Sequence, residues 1–315
     1  MRGTSEHFRI AGAVVRVDWR DEALRGALGP ALAVRAVPAA APDLVINAGV
    51  RPDGWPAAAG RGLGVTETGA GLTVVDPGRR MALQVNPTGT AASFTCATAA
   101  ALPEQERAAP FRLILQRGLR PRAVHLLHAA AVGLPGHGAV LLAARGGGGK
   151  SNATLACLTG SPLRLLGEDY VAVEDRPAPR VWSLYNTAKL HPADLTRFPG
   201  LAADADPVRD AADGKAVLQL AARHAGRWAD GLPLRAILVL KITAAAASRI
   251  LPAAPPEAVK AMLTSLLMVL PDTRRPLFEF TARLARTRPV YRLELGGDPR
   301  QTADMIHRFL IRGQP

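Results

Sequence analysis

The sequence predicts an α/β fold, with a smaller strand-rich N-terminal domain over residues 1–120 and a larger domain over residues 121–315 in which strands alternate with helices. Three observations carry this reading. A chain of 315 residues with 48% hydrophobic content has enough apolar side chain to bury one or two cores. Up to about Val85 the chain runs in short β-type stretches separated by Gly, Pro, Asp and Asn clusters. From Val124 onward apolar strand patterns alternate with a glycine run and helical spacing, the texture of layered α/β domains.

The N-terminal stretches are FRIAGAVVRVDW, DLVINAGV, LGVTET, LTVVD and MALQV, with one helix expected over Glu22–Leu28 and a loop over Pro38–Pro42. After Pro103, EQERAAPFRLILQRGL shows helical spacing at Phe111, Leu113, Ile114 and Leu115 and ends at Gly118, before Pro121, so the domain boundary is placed in this connector. The second domain reads as a strand VHLLHAAAV, a turn, a strand AVLLAA, the glycine run, a helix over Asn152–Leu158, and strands LRLLGEDYVAVE and RVWSLYN. LRAILVLKI follows as a buried strand, then helices over Pro256–Leu270 and Leu277–Arg288, the strand VYRLEL and a closing helix over Arg300–Ile311.

Lysine and arginine total 39 against 26 acids, a net charge of +13, and only Lys150, Lys189, Lys215, Lys241 and Lys260 are lysines. A basic field attracts nucleic acid, nucleotides, anionic lipid or acidic peptides without choosing among them. Aromatic residues make up only 4%, and no zinc spacing or recognition helix is present, so a nucleic-acid partner is not expected. Cys96 and Cys157 form neither a disulfide framework nor a metal pattern, which fits a reducing compartment. The polar start MRGTSEHFRIAGAVV lacks the apolar core of an export signal. The uncharged run Leu126 to Ala144 holds two histidines, a proline and three glycines and reads as two strands, not a membrane helix. A cytoplasmic protein without a membrane partner is therefore expected, and an oligomer is compatible with the sequence.

The sharpest signal is Ala144-Arg145-Gly146-Gly147-Gly148-Gly149-Lys150-Ser151-Asn152, after an apolar strand and before a helix, the context a phosphate-cradling P-loop requires. Successive glycines let backbone N–H groups turn inward around a phosphate, and the helix start adds its positive end. Lys150 would reach the β- and γ-phosphates of ATP, and Ser151 would offer its hydroxyl to Mg²⁺ or Mn²⁺. Ala144 stands where the pattern usually begins with Gly.

Glu168 and Asp169 follow on the next strand. Phosphoryl transfer needs a metal-side acid and a group that accepts the nucleophile's proton, and two adjacent acids at a strand end could supply both. The competing reading is a polar turn in a β-hairpin. His128 alone reads as a core histidine; beside a carboxylate pair it reads as the group that orients one of them.

The order His128, glycine loop, acidic pair resembles the catalytic domain of bacterial HPr serine kinases and the wider HPr-kinase-like group. Within it the chain is most similar to members encoded beside lasso-peptide biosynthesis, whose relatives phosphorylate a precursor peptide on serine. The likeness is clearest over Val124–Leu190, including Gly167-Glu-Asp-Tyr170 and Ser183-Leu-Tyr-Asn-Thr-Ala-Lys189, and thinner through Val290–Leu295. It implies a P-loop domain of the HPr kinase and phosphoenolpyruvate carboxykinase-like type, an ATP-dependent serine kinase, and a serine-bearing peptide or protein as acceptor. Carried over by position, it makes Lys150 and Ser151 the nucleotide and metal residues. Glu168 becomes the general base, Asp169 the metal-side acid and His128 the partner of Glu168. The family usually has Asp where this chain has Glu168, and no copy of the downstream signature of HPr kinases proper is found, so neither HPr as acceptor nor the reverse reaction is implied.

Two readings stand for Lys189: a cation that neutralises the transferring group or grips an acidic peptide, or a solvated surface lysine. Lys215 carries less, and Thr264 and Ser265, in the middle of an expected helix, need no function. RLARTRPVYR, Arg283 to Arg292, reads as a helix end followed by an edge strand with exposed arginines, the alternative being an anion-binding face. The rival to the kinase is a nucleotide-binding regulatory or assembly protein without transfer chemistry, and Glu168 is the residue that separates the two.

Overall fold

A computed structural model describes residues 3–55, 63–175, 177–205, 214–263 and 271–313. The chain divides by its own packing into two units, Met1–Arg122 and Ala123–Pro315.

In the first unit, β1 (Thr4–Ile10), β2 (Ala13–Trp19), α1 (Glu22–Leu28), β3 (Ala36–Val37), β4 (Leu44–Val50), β5 (Gly64–Thr68), β6 (Gly71–Asp76), β7 (Met81–Val85) and β8 (Ala91–Cys96) precede α2 (Glu104–Ala108) and α3 (Arg112–Leu119). The strands form one sheet in the order β3-β1-β2-β4-β8-β7-β6-β5. The stretch read as the single run FRIAGAVVRVDW is a hairpin, because Ala11 and Gly12 take φ of 48° and 79°. That pair of positive values is the two-residue turn whose twist matches the strands it joins. Asp21 starts α1 by accepting the Leu24 N–H at 2.8 Å, an N-cap. The connector expected as one helical stretch is two short helices, since Pro110 offers no N–H and Phe111 sits at φ 60°. Phe111 is buried against Trp19 and Phe94, with ring centroids 5.8 and 5.4 Å away.

The second unit holds β9 (Val124–Leu127), β10 (Ala130–Leu134), β11 (Gly138–Ala143), α4 (Lys150–Gly160), β12 (Arg164–Gly167), β13 (Val171–Glu174), β14 (Arg180–Ser183), β15 (Thr187–Leu190), β16 (Ala216–Gln219), α5 (Ala221–His224), β17 (Gly231–Ile242), β18 (Arg249–Pro252), α6 (Pro255–Met262), α7 (Pro271–Thr287), β19 (Val290–Leu295) and α8 (Pro299–Arg312). The protein is thus of mixed α/β class. β17 is the spine: its first residues pair antiparallel with β14, and the rest runs parallel to β11 on one side and β19 on the other. Its sequence is a nearly unbroken apolar run because most of it is covered. Residues of β10, β11, β13 and β17 share one core with Met262 of α6 and with Leu277, Phe280 and Leu284 of α7. The expected helix over Pro256–Leu270 is seen as α6; its remainder, with Thr264 and Ser265, lies outside the described residues.

Two expected strands are broken, and both breaks make the site. VHLLHAAAV is interrupted at His128 and Ala129, between β9 and β10. LRLLGEDYVAVE is interrupted at Glu168–Tyr170: β12 pairs with β10, whereas β13 pairs with β9 and β14. β10 is antiparallel to both β11 and β12, so these two end at the same edge of the sheet. The glycine loop leaves that edge from β11, and the acids leave it from β12. No helix among the described residues is long and apolar enough to cross a membrane.

Candidate active site

The glycine loop is a tight turn in which Gly148 N–H donates to Arg145 O at 3.0 Å. Gly147 and Gly149 have φ of 72° and 89°, a region side-chain-bearing residues avoid. A Cβ on Gly148 would lie 2.6 Å from the Ala144 methyl, and one on Gly149 would lie 2.5 Å from Leu295 Cδ1. The absence of a side chain at position 148 is therefore what accommodates Ala144 at the start of the loop. The departure from the usual pattern is absorbed within the turn itself. Arg145 is exposed, while Asn152 keeps a buried Oδ1 without a hydrogen-bond partner.

The residues fit a nucleotide phosphate. The first turn of α4 has no side-chain cap, so the N–H groups at its start are available to an anion. Lys150 is buried, and its ammonium donates to Ala144 O at 3.1 Å, one of three donors it carries. Burial lowers its pKa, and the nearby Asp169 and Glu168 carboxylates oppose that shift.

Around the loop the acids divide. Glu168 is fully buried; it accepts a hydrogen bond from the Ser151 hydroxyl on Oε1 and the backbone N–H of Lys189 on Oε2 at 3.0 Å. Burial, and then the neighbouring Asp169 charge, push its carboxyl up to about 7. Asp169 is different. His128 Nε2 lies 2.8 Å from its Oδ1, and the Lys189 ammonium lies 3.0 Å from its Oδ2. Burial is the largest influence on this group and would raise its pKa, but the His128 hydrogen bond and the Lys189 charge outweigh it and hold the carboxyl well below the ordinary range. Lys189 gains in return: Asp169 raises its pKa against the opposing effect of burial. The Tyr170 ring packs beside His128, centroids 5.3 Å apart.

Two expectations are corrected here, and one open reading is narrowed. His128 is the partner of Asp169, not of Glu168. The carboxylate beside the Ser151 hydroxyl is that of Glu168, where that of Asp169 was expected. Lys189 is no solvated surface lysine: its side chain is 12% exposed and holds Asp169. Both acids lie in the bend between β12 and β13, and the course of that bend decides which of them faces the loop. The remaining expected residues of the glycine loop, Arg145 to Asn152, lie together at the start of α4. Lys215 is part-buried beside β16, and its charge lowers the Lys150 pKa.

No family model matches the sequence, and no curated protein matches it. Among solved structures the chain is similar to the HPr(Ser) kinase/phosphatase of Coxiella burnetii, at 9% identity and a TM-score of 0.31, over 60% of this chain and 99% of that one.

Proposed function

We propose that this chain is an ATP-dependent serine kinase that transfers the γ-phosphoryl group to a hydroxyl of a peptide or protein, with a ribosomally made precursor of the lasso type as acceptor. The observation that carries it is the division of labour between adjacent acids. Glu168 meets the Ser151 hydroxyl of the glycine loop, and Asp169 is held ionised by His128 and Lys189. The sequence resemblance to HPr-kinase-like proteins supports the same class of reaction and supplies the acceptor type.

In this reading Lys150 and the backbone N–H groups at the start of α4 bind the phosphates. Mg²⁺ or Mn²⁺, when bound through the Ser151 hydroxyl and the Glu168 carboxylate, would neutralise charge on the phosphates; hard oxygen donors suit either ion. Asp169 accepts the proton of the acceptor serine. The serine Oγ forms its bond to the γ-phosphorus as the bond to the bridging oxygen breaks, and ADP leaves with those electrons. His128 fixes the Asp169 carboxylate, and Lys189, on its far oxygen, keeps it ionised and puts positive charge beside the transferring group. This reading puts the base at Asp169 where the sequence expectation had Glu168.

The test is incubation with labelled ATP, Mg²⁺ and candidate serine-bearing precursor peptides, following a gain of one phosphate on serine by mass. Transfer abolished by Asp169→Asn is the expected result. Nucleotide binding without transfer to any cognate precursor would favour the regulatory reading instead.

A further inference from the structure

The basic run Arg283 to Arg292 meets several fates. Arg283 Nε donates to Asp175 at 2.8 Å, and Arg292 grips Glu257 through bonds of 2.8 to 3.1 Å. Arg288 has no such acid. Its Nε is buried and lacks a hydrogen-bond partner. Arg288 lines a cavity of about 230 Å³ together with Arg235, Tyr291, Phe309 and Leu310. Among the described residues no carboxylate lines it, and neither Arg235 nor Arg288 forms an ion pair. The expected edge strand is not an edge either, because β19 lies between β17 and β18.

The cavity lies where β17 comes alongside the start of β19, and the glycine loop follows the end of β11, which runs parallel to β17. Tyr291 lines the cavity near the start of β19 and Leu295, at its end, lies beside Gly149, so the two places are separated by about 13 Å along the strand. We infer that this cavity is a second binding site, for a small organic anion: a carboxylate or phosphate held by the Arg288 and Arg235 guanidinium groups, on a compact apolar body packed against Phe309 and Leu310.

An oxyanion is the acceptor a guanidinium fork matches best, two oxygens to two N–H groups. Two guanidinium groups with no acid beside them among the described residues favour an anion over a cation. The apolar part of the ligand follows from the walls: Phe309 and Leu310 are buried, and Tyr291 and Phe309 meet edge to face with centroids 5.0 Å apart. The volume falls below the roughly 300–1,000 Å³ of drug-sized pockets, which limits the body to about one ring.

Calorimetry on the full chain at fixed ionic strength, with benzoate, phenyl phosphate and inorganic phosphate as probes, tests the site. The Lys150→Ala background silences the glycine loop toward phosphates. Benzoate or phenyl phosphate is expected to bind saturably, and the two separate carboxylate from phosphate as the anion read. Arg288→Ala and Arg288→Lys are each expected to weaken binding at least tenfold, the lysine because it keeps the charge but not the fork. Arg235→Ala, at an exposed position, should do the same without affecting the fold. Absence of binding by all three probes, or unchanged affinity in Arg288→Ala, overturns the site. Equal affinity for inorganic phosphate and phenyl phosphate overturns its apolar half. Benzoate binding that disappears in Lys150→Ala places the ligand in the glycine loop and overturns it as well. Because the readout is binding and not transfer, failure here leaves the kinase reading untouched, and the reverse.

Discussion

The ammonium of Lys189 lies 3.0 Å from Asp169 Oδ2, and the backbone N–H of the same lysine lies 3.0 Å from Glu168 Oε2. One residue of β15 therefore holds both acids, each by a different group, and fixes them relative to each other. Shortening the side chain should affect only one of the two contacts. Lys189→Ala leaves the backbone donor on Glu168 and removes the cation from Asp169. The expected result is transfer reduced by a hundredfold or more, with nucleotide affinity within a few-fold of wild type, read by calorimetry beside the transfer assay. Affinity and transfer falling together would mean that Lys189 serves phosphate binding instead.

The division of the acids sets a second expectation. Asp169→Asn should lose most transfer, about a hundred- to ten-thousandfold for a removed general base, while nucleotide binding persists. Glu168→Gln should instead remove the Mg²⁺-dependent part of nucleotide binding. His128→Ala should cost transfer less than Asp169→Asn, since Lys189 still restrains the carboxylate. If Glu168→Gln kept Mg²⁺-dependent binding and Asp169→Asn lost it, the roles assigned to the two acids would have to be exchanged.

Mg-nucleotide binding itself is checked at Lys150 and Gly149. Lys150→Ala should weaken it strongly, because Lys150 is the lysine that directly follows the glycine loop. Gly149→Ala forces a methyl into a left-handed backbone position 2.5 Å from Leu295 Cδ1, and should cost about 1–3 kcal/mol of stability as well as binding. Thermal unfolding and calorimetry on both variants separate the two effects: unchanged nucleotide affinity in Lys150→Ala would remove the loop from the reaction.

Cys157 lies on the buried face of α4, and burial pushes its thiol up to about 12. Native protein should therefore resist alkylation there at pH 8, reacting only after denaturation, since the thiolate is the nucleophile. Rapid modification of native Cys157, read by mass spectrometry, would contradict this placement.

Much of the architecture is legible in the sequence because it is written locally. Glu22–Leu28 carries its Asp21 cap, VYRLEL alternates as the strand it forms, and Ala144–Ser151 names its own turn by glycines at 147 and 149. What cannot be read is which way a side chain faces after an interruption. Glu168 and Asp169 are equivalent as letters. Only the bend that sends β12 to β10 and β13 to β9 turns one to Ser151 and the other to His128. Lys189 is legible as part of Ser183–Lys189 but not as a buried residue, because its partners lie about twenty positions earlier in the chain. The Ala11–Gly12 turn escapes notice for a smaller reason: alanine is an unusual first residue for it.

The raised pKa of Glu168 makes the folded protein sensitive to pH in a defined window. In the unfolded chain this carboxyl has an ordinary value of 4.5, and in the fold it stands at about 7. Below 4.5 both states hold the proton and the group contributes nothing. Between 4.5 and 7 the unfolded chain has released its proton while the fold retains it, so stability falls as pH rises, and above 7 the penalty is fully present. A shift of this size corresponds to a penalty on the order of 3 kcal/mol. Asp169 acts in the opposite sense and elsewhere: its folded value is depressed, so its contribution is present above its ordinary value and is lost on acidification below it. The two acids therefore do not mask each other. Glutamine at position 168 has the shape of the protonated acid, with a carbonyl for the Lys189 N–H and an amide that can donate to Ser151 Oγ. Glu168→Gln should raise the melting temperature of the metal-free protein by several degrees at pH 8 and leave it nearly unchanged at pH 4.5. Added Mg-nucleotide should narrow the gap at pH 8 by stabilising wild type more than the variant. Calorimetric scans at the two pH values decide the matter: equal melting temperatures at pH 8 would show that Glu168 is ionised without cost in the free protein, and its burial would then need another source of compensation.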